Sequence, residues 1–147
     1  MKILVDADSC PVKDIVFQVA REYSVKVVVV KDLSHEIDSN YAEVITADQG
    51  RDSVDLIIVN NTDKGDIVIT QDYGLASLAL TKQAIVLHPN GWKFTEENID
   101  GLLLNRHINQ QIRQRNGRHT KTPKRKSKDD NNFKNLLKEI IVQMKSS

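Results

Sequence analysis

Asp6 and Asp8 follow directly on the apolar run Ile3-Leu4-Val5, and Asp72 follows on Ile67-Val68-Ile69-Thr70 with one residue between. A buried strand that runs into a carboxylate delivers charge to a sheet edge, and in open parallel sheets the carboxyl edge is where the ligand crevice lies. Asp52 and Asp55, at the opening of a helix after a third strand, can reach the same edge. Two carboxylates about 4 Å apart repel by roughly 4 kcal/mol at an effective dielectric of 20, so a few such pairs rival the ~5–15 kcal/mol stability of a domain. Such a cluster calls for a cation. Ligands that are all oxygen are hard and select Mg²⁺ or Mn²⁺ over zinc, and these ions bind best where a phosphate completes the shell.

The other side chains are weighed against simpler roles. Capping of a helix by Asp52, with Asp55 in its first turn, would account for both residues without any chemistry. Asp66 belongs to the turn before a strand, and Asp14, Asp32, Asp38, Asp48 and Asp63 read as surface acids. Asp6, Asp8 and Asp72 are the candidates for catalysis, because each comes off a buried strand. Ser9, Thr70 and Gln71 flank that site and could position water or phosphate, although local turn bonding is their commoner use. Arg51 can reach the same edge. Cys10 at a helix start reads as a packed, inert thiol, and His35, His88, His107 and His119 show no ligand spacing.

The elements that position these acids follow from periodicity. Pro11 suits the first position of a helix, where its missing N–H has no partner, and Val12, Ile15, Val16, Val19, Ala20 and Tyr23 recur on one helical face. Val25 to Val30 reads as a strand buried on both faces, which makes a parallel strand-helix-strand crossover. Residues 31–41 read as loop, Glu43 to Ala47 as a short strand, and Gly50-Arg51-Asp52 as the entry to a helix burying Val54, Ile57, Ile58 and either Leu56 or Val59. After the turn Asp63-Lys64-Gly65-Asp66 come a strand to Thr70, a helix over about 74–82, a strand from Ala84 to Leu87 and a turn through Pro89-Asn90-Gly91. Thr95 caps a further helix, with Phe94 stapled onto Ile99 and with Leu102, Leu103 and Ile112 buried. Phe133, Leu136, Leu137, Ile140, Ile141 and Met144 form one stripe on a terminal helix, which must bury against the body or against another copy in a homo-oligomer. The expectation is an α/β fold, a three-layer α/β/α body over 1–112 with a mainly parallel sheet, a basic flexible linker over 113–132 and an amphipathic helix over 133–147.

The 147 residues fit one domain, and a composition of 39% hydrophobic and 28% charged residues is ordinary for a globular protein. The first apolar run meets a carboxylate too early for a secretory core, and no later run approaches bilayer length, so a cytoplasmic location and no membrane partner are expected. Cys10 is the single cysteine, which excludes an intramolecular disulfide and a thiolate zinc site. Net charge is +1, but residues 1–100 hold 17 acids against 9 bases. Residues 101–128 hold Arg106, Arg113, Arg115, Arg118, Lys121, Lys124, Arg125, Lys126 and Lys128 and no acid. Apart from Arg106, these bases are the expected sites of nucleic-acid binding, by phosphate attraction.

Asp6-Ala7-Asp8-Ser9-Cys10-Pro11-Val12-Lys13, Asp52-Ser53-Val54-Asp55, Gly65 to Asp72, Pro89-Asn90-Gly91 and Thr95 to Ile99 together resemble the successive motifs of the YaiI/YqxD family of bacterial proteins. The likeness runs from Met1 to about Arg106. It departs in the tail, where Gly117 to Pro123 keeps one glycine and the proline of a Gly-Gly-Pro-type segment. That family is grouped with PIN-like nuclease domains, so the resemblance implies a PIN-like fold, RNA cleavage with Mg²⁺ or Mn²⁺, and Asp6, Asp8, Asp52, Asp55 and Asp72 as metal ligands.

Three functions stay open on the residues alone. One is a metal-dependent ribonuclease. Another is a phosphomonoesterase of the haloacid-dehalogenase type with Asp6 as nucleophile, against which stand Cys10 and the lack of a lysine motif. The third is a non-catalytic RNA-binding module. Neutralising half of the bases from Arg113 to Lys128 should weaken RNA binding alike for all sequences. The slope of log affinity against log salt should flatten by roughly 0.7 for each single-strand phosphate no longer neutralised. Salt titration of both proteins checks this, and an unchanged slope would make the segment a solvated linker.

Overall fold

The computed structural model describes residues 1–33, 41–48, 50–102, 104, 105, 111 and 127–146, with backbone alone for 50–53. In order, the chain forms β1 (Lys2–Asp6), a 3₁₀ turn (Ala7–Ser9), α1 (Lys13–Tyr23), β2 (Lys26–Lys31), β3 (Glu43–Thr46) and α2 (Gly50–Asn61). There follow β4 (Ile67–Ile69), α3 (Tyr73–Thr81), β5 (Ile85–His88) and β6 (Trp92–Phe94). Residues 96–102 are helical and are called α4, and α5 is Ser127–Ser146. The sheet order is β3-β2-β1-β4-β5-β6, parallel throughout except for β6, which runs antiparallel to β5.

Successive residues of a strand point to opposite faces, and here both faces are covered, which is why the central strands read as unbroken apolar runs. Ile3, Val5, Val27, Val29, Ile67 and Ile69 turn to one face, where α1 and α5 pack on them. Leu4, Val28, Val30, Val68 and Val86 turn to the other, under α2 and α3. The α/β/α architecture expected from the sequence is therefore the one observed. No helix among the described residues is long and apolar enough to cross a membrane.

The terminal helix packs on the body. Phe133, Leu137 and Ile141 of α5 are fully buried in the same core as Val16, Val19 and Ala20 of α1. Its seat is the turn after β5: Gly91 has φ +94°, and a Cβ there would lie 2.5 Å from Asn132 Cβ and 2.7 Å from Phe133 N. Only a residue without a side chain lets the α5 backbone come so close. The helix starts at Ser127, six residues ahead of its apolar stripe, and residues 112–126, which include most of the expected linker, lie outside the described residues.

Other differences have local causes. Pro11 lies in a turn and Val12 takes the cap position of α1, because the 3₁₀ turn and the extended Cys10 must first clear the strand end. Helix α2 begins at Gly50, so Asp52 falls inside its first turn rather than at its cap, and Leu56 is exposed while Val54 and Ile58 are buried. β6 is an addition to the expected elements, since three residues carry no readable alternation. Phe94 ends that strand and shares a core with Ile99, and Thr95 and Asn98 cap α4 reciprocally: Thr95 Oγ1 accepts from Asn98 N at 3.2 Å, and Asn98 Oδ1 accepts from Thr95 N at 2.9 Å.

At the amino edge of the sheet the start of β1 is tied to the turn before β4. Lys2 Nζ donates to Asp66 Oδ2 at 2.6 Å and to Asp63 Oδ2 at 3.0 Å, and Lys2 N donates to Asp66 Oδ1 at 3.1 Å. Burial pushes the Asp66 carboxyl up, but the Lys2 ammonium and the backbone N–H groups of Asp63 and Lys2 outweigh it and hold the group below the usual carboxylate range. Asp66→Asn should destabilise the protein by about 1–3 kcal/mol at neutral pH. Because the folded-state pKa is depressed, the wild type's advantage is full above the ordinary Asp value of about 4 and fades as pH falls through the lower folded value. Urea melts of both proteins across acid pH check this.

Candidate functional site

From β1 the chain winds outward through β2 to β3, then returns to lay β4 on the other side of β1. The strand order thus reverses between β1 and β4, and it is outside the carboxyl ends at such a switch point that open α/β sheets hold their ligands. Asp6 is the last residue of β1, and Thr70 is the first after β4. Both continue the face that carries Leu4 and Val68, so they sit under the start of α3.

Asp6 is only 4% exposed. The 3₁₀ turn folds Ser9 back so that its Oγ donates to Asp6 Oδ2 at 2.8 Å, and Thr70 Oγ1 donates to the same oxygen at 3.0 Å. The two hydroxyl oxygens stand 3.1 Å apart. Each is held from behind by backbone: Gln71 N donates to Ser9 Oγ at 3.1 Å, and Asp72 N donates to Thr70 Oγ1 at 2.9 Å. Gln71 Nε2 adds a bond to Ser9 O at 3.0 Å. The side chain of Asp6 is therefore fixed in one orientation through Oδ2, while Oδ1 accepts no hydrogen bond from any described residue. Burial pushes the Asp6 carboxyl up, the two hydroxyls pull against it, and the negative charges of Asp8 and Asp72 push further in the same upward direction.

Asp8 is exposed in the 3₁₀ turn. Lys13 clamps that turn from the first residue of α1, its Nζ donating to Ala7 O at 3.0 Å and Cys10 O at 2.8 Å. Asp72 has a structural task as well, since its Oδ1 accepts from Gly74 N at 2.9 Å and Leu75 N at 3.2 Å and so caps α3. Asp55 is partly buried on α2, and the side chain of Asp52 lies outside what is described. Among the described residues no three His, Cys, Asp or Glu side chains form a group that could hold a metal ion. Asp8 and Asp72 are brought near enough for their charges to act on Asp6, but the three do not form a closed cage.

Of the bases expected to bind nucleic acid, Lys128 is exposed in the first turn of α5, and Arg113, Arg115, Arg118, Lys121, Lys124, Arg125 and Lys126 lie outside the described residues. Two further residues belong to this edge that sequence reasoning missed. Lys13 carries no signal in the sequence beyond its place in the first motif. His88 ends the apolar run Ile85-Val86-Leu87 as Asp6 ends Ile3-Leu4-Val5, and it is buried at the same edge of the sheet; the strand-end argument, extended from acids to every polar residue type, finds it.

A sequence profile described as "Uncharacterized BCR, YaiI/YqxD family" matches residues 4–143. A UPF0178 protein of Alkaliphilus oremlandii is 56% identical over 137 residues, covering 93% of this chain and 88% of its own. UPF0178 proteins of Ruminiclostridium cellulolyticum and Lachnoclostridium phytofermentans are 47% and 43% identical, over 93% and 99% of this chain and 90% and 100% of theirs. No solved structure matches the chain.

The raised pKa makes the ionised Asp6 a cost to the fold. Asp6→Asn should raise stability in metal-free buffer at neutral pH by about 1–2 kcal/mol, within the usual span for single substitutions. The sign follows from linkage. Below the unfolded Asp value of about 4 both states are protonated and the two proteins should melt alike; the variant's advantage should grow as pH rises through the folded value and then level off. Thermal melts over that range check it, and a loss as large as a core deletion would make Asp6 a structural residue.

Proposed function

The chain belongs to the YaiI/YqxD family, and from that premise we propose that it is a metal-dependent hydrolase of phosphodiester bonds in RNA, with Asp6 at the centre of its site. The observation that carries the reading is the state of Asp6: buried at the switch point, held through one carboxylate oxygen, and under the charge of two further acids. The grouping of that family with PIN-like nuclease domains and the mainly parallel α/β architecture support the same reading.

The donor set fits Mg²⁺ or Mn²⁺ in the manner usual for phosphate chemistry. Mg²⁺ is commonly held by one or two carboxylates, with waters and substrate phosphates filling the remaining positions. Asp6 Oδ1 and the exposed Asp8 supply such a pair, which asks for no three-ligand protein cage. When bound, the ion would lower the pKa of an attacking water and neutralise charge on the phosphodiester. Ser9 and Thr70 keep Asp6 in one orientation, so that no reorganisation of the carboxylate is needed. Lys13 holds the turn that presents Asp8, and Asp72 adds negative charge while capping α3. The bases from Arg113 to Lys128 would offset the repulsion between an acidic body and RNA by engaging backbone phosphate.

Incubating the full chain with a short single-stranded RNA in Mn²⁺ or Mg²⁺ tests the proposal. Cleavage should appear with metal, vanish with a chelator, and fall at least a hundredfold in Asp6→Asn, roughly the scale on which loss of a key electrostatic group acts. Hydrolysis of a simple aryl phosphate without RNA cleavage, with an aspartyl-phosphate mimic trapped on Asp6, would replace this reading with the phosphomonoesterase. Neither activity, together with no metal-induced rise in melting temperature, would leave a binding module.

A further inference from the structure

The carboxyl edge does not end at Asp72. Strand pairing places Thr70 beside Asp6, with Thr70 N donating to Leu87 O at 3.1 Å, and sets His88 directly opposite Trp92. Along this row of the sheet, on the face under α3, the side chains run Asp6, Thr70, His88, Trp92. At the usual strand spacing of about 4.8 Å, Trp92 lies roughly 14 Å along the row from Asp6. The far end of the row is aromatic. Trp92 and His88 are stacked with centroids 4.4 Å apart and planes 12° from parallel. Phe94 supports both, at 4.6 Å from Trp92 and 5.9 Å from His88, and Tyr73, next to Asp72, meets Phe94 edge-on at 5.6 Å.

His88 is buried and accepts Asn90 N–H at Nδ1, 3.0 Å away, which fixes the ring as a backing. Trp92 in front of it remains partly exposed, on the edge strand, where the sheet has no further strand among the described residues to cover it. A backed indole at a sheet edge, within a few nucleotides' reach of a carboxylate site, is what a splayed-out base requires, since every base has a π-face and stacking tolerates any sequence.

We propose that Trp92, stacked on His88, seats an unstacked base of a single-stranded nucleic acid whose backbone runs along the row to Asp6. The proposal rests on reading that edge as a phosphodiester site, and it narrows the substrate to single strands or loops, because a duplex keeps its bases stacked away from such a platform.

Trp92 is the only tryptophan in the chain, so its fluorescence reports the platform directly. Titrating the full chain with tetra-adenylate RNA in a chelator, where no cleavage occurs, should quench that emission in a saturable way, and ribose 5-phosphate, which lacks a base, should not. Anisotropy of labelled tetra-adenylate should show Trp92→Phe close to wild type and Trp92→Leu weakened roughly five- to hundredfold. Binding by anisotropy without quenching, or unchanged affinity in a folded Trp92→Leu, overturns the platform. Should Trp92→Leu fail to fold, the wild-type titration decides alone. Quenching without any cleavage in Mn²⁺ would keep the platform and remove the hydrolase; cleavage with identical KM in wild type and Trp92→Leu would do the reverse.

Discussion

Withdrawing a carboxylate from water at the end of a central strand costs several kcal/mol unless other groups replace its hydration, and the carboxyl edge of this protein is built around that one demand. Asp6 ends a central strand, with β2 on one side and β4 on the other, and its side chain is buried. Its Oδ2 is answered by two hydroxyls rather than by a cation. Those hydroxyls come from segments 61 residues apart, Ser9 from the turn after β1 and Thr70 from the end of β4. Their own acceptor capacity is taken up by the N–H groups of Gln71 and Asp72. The acid thus sets the geometry of both strand exits at once, and the start of α3 follows from it, because Asp72 turns directly from that network into the cap of the helix.

Support for this edge comes from behind. One face of the sheet would be half bare with α1 alone, and α5 completes it, its docking made possible by the absence of a side chain at Gly91. The same turn, Pro89-Asn90-Gly91, sets His88 opposite Trp92 by reversing the chain into β6. A single tight reversal therefore joins the packing of the C-terminal helix on one face to the stack of His88 and Trp92 on the other.

The architecture is legible in the chain because its signals are local and periodic: both-face apolar strands, one-face apolar helices, and acids at strand ends. Asp6, Asp8 and Asp72 are legible for the same reason. The shell around Asp6 is not, because Ser9 and Thr70 look like ordinary turn residues until β4 is laid beside β1. The double duty of Asp72 is hidden too, since a strand-end acid and a helix cap are the same residue type in the same place. β6 is too short to show a period. His88 has no ligand spacing to mark it, and its significance lies in its position at a strand end, which becomes visible only once β6 brings Trp92 opposite.

The two edges of the sheet use the same residue type to opposite ends. At the amino edge Asp66 is buried against Lys2, and the pair holds its carboxyl below the usual range, which stabilises the fold at neutral pH. At the carboxyl edge Asp6 is buried among hydroxyls and near two other acids, and its carboxyl is pushed up. Selection for stability alone would treat both edges alike, since a basic side chain in place of Ser9 or Thr70 would relieve the same repulsion. An acid held at a cost, oriented through one oxygen and backed by further negative charge, is the arrangement expected where affinity for an incoming cation takes precedence over local stability. The contrast between Asp66 and Asp6 within one sheet is thus a ground for the proposed site that comes from the sheet itself and not from the family resemblance.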